Sequence, residues 1–192
     1  MKIIFTCLIL LFSTFLFAQK TSNDSRLENL FKLDLGFRGI GVSYEPRLGK
    51  KLSIDLATGL GGGYDIWTNS FEYNWQIFNP AIYVVVNPKF YYNRDKRLAK
   101  GKSISRNSGN YIGMAIKYTT PNLGEATYVY DALLFNLHWG MQRPIGKRWT
   151  FNTHFGVGYA TDASDLNNTG GTIYPATDLR FAYVFGYGKK KG

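Results

Sequence analysis

Residues 133–142 read Leu-Leu-Phe-Asn-Leu-His-Trp-Gly-Met-Gln, and this stretch alternates large apolar side chains with side chains that are mostly small or polar. Alternation with a period of two places the two sets on opposite faces of a β-strand. The same split recurs at 52–61, 112–118, 149–159 and 178–187. The sequence therefore predicts repeated strands, each with one large apolar face and one small or polar face.

The polar face of these strands is rich in glycine and charge, which distinguishes two kinds of barrel. A soluble barrel of the lipocalin type keeps bulky apolar residues inside, whereas a membrane barrel turns them towards lipid and lines its lumen with polar groups. Aromatic residues near the strand ends fit the interfacial girdle of a membrane barrel: Tyr44, Tyr64, Trp67, Tyr91, Tyr92, Tyr118, Trp149, Tyr159 and Tyr187. We therefore predict an all-β, antiparallel up-and-down transmembrane β-barrel. The even-number rule for single-chain barrels favours about eight strands.

The amino-terminal segment has the features of an export signal. Lys2 precedes an almost unbroken apolar run at 3–17, and Ala18 supplies a small residue for cleavage. A chain of 192 residues leaves room for one domain after this segment. We expect a signal peptide at 1–18, an N-terminal lead segment at 19–29, the barrel at 30–188 and a basic tail at 189–192.

Cysteine and apolar content narrow the location of the protein. The single cysteine, Cys7, lies in the predicted signal peptide, so the mature chain should contain neither disulfides nor thiolate metal sites. No apolar stretch after Ala18 is long enough for a transmembrane helix, so a mature chain that meets a bilayer must cross it with strands. The predicted location is the bacterial outer membrane.

The connections fall into two groups, one for each side of the membrane. We expect the short links at 46–51 and 143–148 in the periplasm, together with 94–108, which is a long exception. The long polar links are expected outside the cell: 61–74, 119–127 and 160–174. Basic residues then gather at the periplasmic end: Arg47, Lys50, Lys51, Arg143, Arg148 and the tail lysines. Acidic residues gather at the other end: Asp65, Glu72, Glu125, Asp162 and Asp165.

Two places leave the strand count open. The large apolar residues occupy odd positions before Gly39 and even positions after it, which indicates either a β-bulge or a tight turn. A further strand is expected to begin near 71–77, before Asn79 and Pro80 interrupt it and another strand follows at 81–92.

Two sequence segments carry a resemblance to a known family. Residues 43–54 read Ser-Tyr-Glu-Pro-Arg-Leu-Gly-Lys-Lys-Leu-Ser-Ile, and residues 88–93 read Pro-Lys-Phe-Tyr-Tyr-Asn, followed by a basic stretch and Asn-Ser-Gly-Asn-Tyr at 107–111. These segments resemble the hairpins of small OmpA/OmpX-like outer-membrane barrels. The resemblance implies a fold and a location, and it transfers no catalytic residues.

Two histidines are the strongest candidates for chemistry. His138 and His154 are both at even positions, which face the lumen on these two neighbouring strands. This makes them opposite or diagonal neighbours. Such a pair can share a metal or serve a lipid-modifying hydrolase, but a catalytic set also needs a nucleophile and an orienting acid. No such partners are identifiable by spacing, so ordinary hydrogen bonding in the lumen is favoured. We expect no catalytic residues, metal or cofactor.

Charged residues predicted to face the lumen carry both signs. Strand parity assigns the two histidines and seven charged residues to one polar network: Asp34, Arg38, Asp55, Lys89, Lys117, His138, His154, Asp178 and Arg180. Charges in a narrow lumen are costly unless they are paired, and an eight-stranded barrel is only wide enough for its own side chains. A salt-bridged plug is therefore expected, with a porin-like diffusion pore as the weaker alternative.

A basic stretch raises the net charge to +10 and bears on partners: Arg94, Lys96, Arg97, Lys100, Lys102 and Arg106. It lacks interleaved aromatic residues for stacking on bases, and an exported chain rarely meets nucleic acid, so that partner is not expected. A solvated loop is the simplest interpretation. Outer-membrane lipid is the expected partner, and cell-wall polymer or envelope proteins are further candidates.

The predicted function is non-enzymatic, with an envelope-structural or surface-interaction role in the outer membrane. Two alternatives stay open at this point. One is a lipid-modifying hydrolase that uses the two histidines, and the other is a soluble periplasmic barrel that binds an apolar ligand.

Overall fold

A computed structural model of the protein describes residues 25–67, 70–75, 78–124, 131–163 and 171–185. The strands are β1 (Leu30–Gly36), β2 (Gly39–Glu45), β3 (Leu52–Gly61), β4 (Gly63–Trp67), β5 (Ser70–Asn74), β6 (Ala81–Tyr91), β7 (Gly109–Asn122), β8 (Ala132–Ile145), β9 (Trp149–Asp162) and β10 (Thr172–Val184). One short helix, α1 (Arg94–Ala99), lies between β6 and β7. The predicted signal peptide and basic tail lie outside the described residues.

Eight strands close into an antiparallel barrel in the order β1-β10-β9-β8-β7-β6-β3-β2. The remaining two strands, β4 and β5, pair only with each other. The predicted all-β, eight-stranded, up-and-down barrel is therefore confirmed. No helix in the described part of the chain is long and apolar enough to cross a membrane.

The side chains divide between the two barrel faces as the alternation predicts. Leu137, Phe155 and Val157 point outwards with more than 60% of their surface exposed, and their large apolar neighbours on other strands do the same. Lysines, arginines, carboxylates and amides lie buried inside. Water as the outer solvent would make this distribution costly, whereas lipid makes it favourable. The exposed apolar wall rules out the soluble barrel and defines a membrane-spanning one.

The phase flip near Gly39 is a tight turn. Phe37 and Arg38 alone connect β1 to β2, and Gly36 pairs with Gly39 at the end of the ladder. Gly39 has φ of +118°, a conformation that favours glycine. Residues that pair across the ladder share a face, and each pair joins an odd to an even position, as Leu35 with Ile40. The outward positions therefore change from odd in β1 to even in β2.

The connections lie at two ends, which we call the helix end and the hairpin end. The helix end has the links at 46–51, 92–108 and 146–148, and the described chain begins and finishes there. The hairpin end has the links at 37–38, 62–80, 123–131 and 163–171. This grouping agrees with the predicted one, including the long exception that contains α1. Which end faces the periplasm stays a prediction.

The prediction was wrong for the segment at 61–74, which we expected to be a polar external loop. It forms the β4–β5 hairpin, whose residue Ile66 is buried against lumen side chains of the hairpin end, among them Leu134 and Tyr174. Strand β4 contacts β7, β8 and β9, and β5 contacts β10. The strand expected near 71–77 is β5, and it belongs to this hairpin instead of the barrel wall.

The predicted aromatic girdle is only partly correct. Outward-facing side chains near strand ends include Tyr44, Tyr92, Tyr118, Trp149 and Tyr159. Tyr91 instead is fully buried in the lumen, and Tyr64 lies on the β4–β5 hairpin. The side chain of Trp67 and all of Tyr187 lie outside the described part. Tyr83, Tyr111 and Tyr174 also point inwards, so the lumen contains more large side chains than the alternation indicated.

Lumen glycines make room for these large side chains. A Cβ atom on Gly140 would collide with the Tyr111 ring, and one on Gly59 would lie 2.7 Å from Tyr83 Oη. A Cβ atom on Gly113 would lie 2.9 Å from Asn87 Oδ1 and would also collide with His138. Gly59 therefore relieves crowding next to Tyr83.

Candidate functional site

The centre of the lumen is filled by a network of six charged side chains. The three cations are Lys32, Lys89 and Arg180, and the three carboxylates are Asp34, Glu45 and Asp55. All six are at most 2% exposed. Because the formal charges balance, the network meets the requirement that buried charges be paired.

Asp55 is the hub of this network. Its Oδ2 atom lies 2.6 Å from Arg180 Nη2 and 2.8 Å from Lys89 Nζ, and its Oδ1 atom lies 3.1 Å from Lys32 Nζ. Arg180 also donates to Asp34 Oδ2 at 3.0 Å. The hub therefore connects β3 to β1, β6 and β10 across the lumen.

Glu45 extends the network towards the helix end. It accepts hydrogen bonds from Lys32 Nζ at 2.7 Å, from Ser53 Oγ at 2.9 Å and from Tyr91 Oη at 2.9 Å. The sequence prediction missed Lys32 and Glu45, although strand parity points to both. Lys32 lies two positions before the inward-facing Asp34 on β1, and Glu45 lies two positions after the inward-facing Ser43 on β2. Residues two apart on a strand share a face, so both point inwards.

A second charged group lies nearer the hairpin end. Arg38 forms a buried ion pair with Asp178, so the turn between β1 and β2 is tied to β10. Among the described residues, Lys117 forms no ion pair with a carboxylate. Its Nζ atom donates to Tyr64 Oη at 2.8 Å and lies 4.6 Å from the Tyr64 ring centre and 5.3 Å from that of Tyr83.

His138 and His154 are diagonal neighbours. In the ladder, His138 pairs with Gly156 and His154 pairs with Gly140, which brings the rings into a stack with centres 4.0 Å apart. Both nitrogens of His138 and Nδ1 of His154 are buried without a hydrogen-bond partner among the described residues. A base in a catalytic set needs a hydrogen-bonded nucleophile and orienting acid, and the described contacts of His138 supply neither. The described residues also contain no group of three or more potential ligands that fits a metal ion.

The structure thus places the nine residues of the predicted polar network inside the barrel, in three separate groups. Asp34, Asp55, Lys89 and Arg180 belong to the central network. Arg38, Lys117 and Asp178 lie towards the hairpin end, and the two histidines stack on the wall formed by β8 and β9.

A cavity of about 420 Å³ occupies the lumen above the central network, at the hairpin end. The β4–β5 hairpin contributes Tyr64 and Tyr73 to its lining, and the barrel contributes apolar and polar side chains: Val85, Ala115, Lys117, Asn136, His154, Tyr174, Ala176 and Asp178. A volume of this size is within the range of small-molecule pockets, about 300–1,000 Å³.

The helix end is covered by a polar cap formed by 25–29 and 92–108. Arg94 donates to the backbone oxygens of Ser25 at 2.9 Å, Arg26 at 2.8 Å and Ile104 at 2.9 Å, and Arg106 donates to Lys147 O at 2.6 Å. On the inner side of the cap, Leu27 packs against two lumen tyrosines, Tyr91 and Tyr111. Arg94 and Arg106 are buried, so the expectation of a solvated loop is wrong for these two residues. Their guanidinium groups donate hydrogen bonds to backbone oxygens of other segments.

Local contacts change the acidity of three cap groups. Burial raises the pKa of Glu28 and lowers the pKa of Arg94, since it disfavours the charged form of each. The hydrogen bond from Lys51 lowers the pKa of the exposed Asp95 carboxyl. Lys51 Nζ lies 2.6 Å from Asp95 Oδ2, and this contact ties the β2–β3 link to α1.

The outer surface of the cap is basic. The exposed cations at the helix end are Arg26, Lys50, Lys96, Lys100, Lys102, Lys147 and Arg148. Among the charged side chains that the structure describes at the hairpin end, Glu72 is the exposed one. The basic helix end agrees with the sequence pattern. Of the other acidic residues predicted for the hairpin end, Asp162 is buried, whereas the side chain of Asp65 and all of Glu125 and Asp165 lie outside the described part of the chain.

Fold and surface define the class of this protein as a small, eight-stranded membrane barrel with a charge-filled lumen. No family model matches the sequence, and no curated protein matches it. Among solved structures, the solid-state NMR structure of outer membrane protein AlkL in DMPC lipid bilayers is similar, with a TM-score of 0.40 and 10% sequence identity. The match covers 92% of this chain and 98% of that chain. The resemblance to OmpA/OmpX-like barrels stays a prediction at the level of the family.

Proposed function

We propose that this protein is a non-enzymatic outer-membrane barrel with an envelope-structural role. The observation that carries the proposal is the central network of Lys32, Glu45, Asp55, Lys89 and Arg180 with Asp34, which blocks the lumen with buried, charge-balanced pairs. Breaking such a network is costly, so the centre of the barrel serves as a fixed support and does not conduct solutes. The apolar outer wall and the predicted signal peptide support a location in the outer membrane.

The basic cap supports a periplasmic partner. Lys96, Lys100 and Lys102 are exposed on the cap, and the buried arginines fix the chain that presents them. With the helix end in the periplasm, these lysines face the anionic cell-wall polymer. Electrostatic attraction between exposed charges is screened over about 10 Å at 0.1 M salt, so this binding should weaken at high ionic strength.

Closure of the lumen is tested by recording current through planar lipid bilayers that contain the purified protein. The proposal predicts no stepwise conductance. Stable, reproducible single-channel steps from the wild-type protein would establish the porin-like alternative. Turnover of a labelled envelope lipid that disappears in His138→Ala would instead establish the enzymatic alternative.

Cell-wall binding is tested by sedimenting the full-length protein with purified cell-wall sacculi. Replacing Lys96, Lys100 and Lys102 by Gln should reduce the sedimented fraction. The matched control lowers the net charge equally at the hairpin end, with Phe78, Leu123 and Gly124, all exposed, each replaced by Glu. Equal loss in both triple variants would mean that only net charge matters, and no binding by the wild-type protein would exclude this partner.

A further inference from the structure

The barrel wall contains a gap between β1 and β10 at the hairpin end. Strand β1 pairs with β10 only from Lys32 opposite Val184 to Gly36 opposite Arg180. Beyond this ladder, Phe37 N donates to Leu179 O at 3.0 Å, but β10 continues to Thr172. Within the described residues, β10 from 172 to 178 has β9 on one side and no barrel strand on the other. We call this open edge the seam.

The cavity at the hairpin end reaches the outer surface through the seam. Pro175 and Thr177 lie on the outward face of β10, yet both line the cavity. Phe37 and Trp75 line it as well, and both are at least half exposed. Proline lacks a backbone donor, so Pro175 also limits pairing of this edge with another strand. Within the described residues, the outer side of the cavity is therefore an opening in the wall of the barrel, with mostly apolar borders.

The inner side of the cavity contains one lysine that no described carboxylate pairs with. Arg38 and Asp178 neutralise each other as a pair, which leaves Lys117 as the remaining lysine or arginine of the lining. Among the described side chains, the Lys117 ammonium contacts a phenol oxygen and tyrosine rings but no carboxylate. Cation–π contacts offset part of the cost of burying this charge, and an anionic group would offset more of it.

We propose that this cavity binds a single-chain amphiphile with an anionic head group, which reaches it through the seam. The head group contacts Lys117, and the apolar chain lies between the hairpin tyrosines and the seam. A cavity of about 420 Å³ is within the size range of small-molecule pockets, which agrees with a single chain of moderate length. This inference goes beyond the proposed structural role, since the central network below the cavity stays closed.

The test measures binding of radiolabelled dodecanoate to the full-length protein in zwitterionic lipid nanodiscs, with empty nanodiscs subtracted. Dodecanol and dodecyltrimethylammonium serve as neutral and cationic probes of the same chain length. We expect saturable binding of dodecanoate with one site, weaker binding of the alcohol and no saturable binding of the cation. Lys117→Met should weaken dodecanoate binding at least tenfold, whereas Lys50→Met, which removes an exposed lysine at the helix end, should leave it unchanged.

Folding of each variant is checked by the difference in gel mobility between unheated and heated samples. If Lys117→Met fails to fold, the head-group preference of the wild-type protein and the binding of Lys117→Arg decide the question. Equal affinity for acid and alcohol, or no saturable binding, would overturn the proposal. Competition by phosphatidylglycerol in the nanodisc would overturn it too, because the occupant would then be membrane lipid. None of these outcomes depends on cell-wall binding or on conductance.

Discussion

Arg180 Nη2 lies 2.6 Å from Asp55 Oδ2 in the middle of the lumen, although 125 positions separate the two residues in the sequence. Their contact connects β10 to β3, two strands that are not neighbours in the barrel order. The pair therefore fixes the cross-section of the barrel independently of the backbone ladder. Because Asp55 also contacts two lysines, loss of its charge leaves several buried cations without a partner.

Asp55→Asn should destabilise the barrel strongly. Removing one partner of a buried ion pair costs about 3–5 kcal/mol, since the remaining charge stays buried and uncompensated. Urea unfolding of the protein in lipid vesicles, followed by gel mobility, measures this loss. The control is Asp95→Asn, which removes an exposed carboxylate from the cap and should change stability little. Equal stability of both variants would show that the central network does not support the fold.

The two faces of β8 should respond oppositely to the same substitution. Leu137 faces outwards with 63% exposure and is flanked in the ladder by Val157 and Met114. Leu137→Arg places a charge in lipid and should cost about 2–4 kcal/mol. Asn136→Arg, one residue earlier, points into the cavity and should be tolerated better. The amount of folded protein recovered from vesicles compares the two, and the reverse order would invert the assignment of faces.

Ile66 should hold the β4–β5 hairpin in the mouth of the barrel. It is buried against apolar lumen residues, so Ile66→Asp places an unpaired carboxylate there and should release the hairpin. We expect protease cleavage within 62–80 to become faster while the barrel keeps its folded gel mobility. Glu72→Gln, an exposed change on the same hairpin, should leave the cleavage rate unaltered. Unchanged cleavage in Ile66→Asp would mean that the hairpin stays docked without this contact.

The barrel was predictable from sequence because its signal is local. Alternation along each strand assigns faces without knowledge of the neighbouring strand, so the inward positions of Asp55, Lys89 and Arg180 followed from parity alone. Their partners did not follow, because contacts across the lumen depend on closure of the barrel and on its register. Asp34 and Arg180, for example, lie 146 positions apart and meet only when β1 pairs with β10.

The hairpin and the cap were not predicted, for two different physical reasons. Gly62 and Gly63 precede a short segment whose polar residues are typical of a loop, although apolar Tyr64 and Ile66 alternate within it. In the cap, Arg94 and Arg106 bind backbone oxygens of distant segments. Every residue has a backbone oxygen, so the residue types of those segments do not indicate the contact. Both features are tertiary contacts of short segments, so composition favoured the simpler interpretation of solvated loops.

The central claim is a membrane-spanning barrel with its helix end in the periplasm and its hairpin end outside the cell, and cysteine labelling in whole cells tests it most directly. In a Cys7→Ser background, single cysteines are placed by Lys100→Cys on the cap and Glu72→Cys on the hairpin, two exposed positions at opposite ends. Cells are treated with a thiol reagent that does not cross the outer membrane. We predict that Glu72→Cys is labelled in intact cells and that Lys100→Cys is labelled only after lysis. Labelling of both positions in intact cells, of Lys100→Cys alone, or of neither position before lysis would contradict the proposed orientation in the membrane.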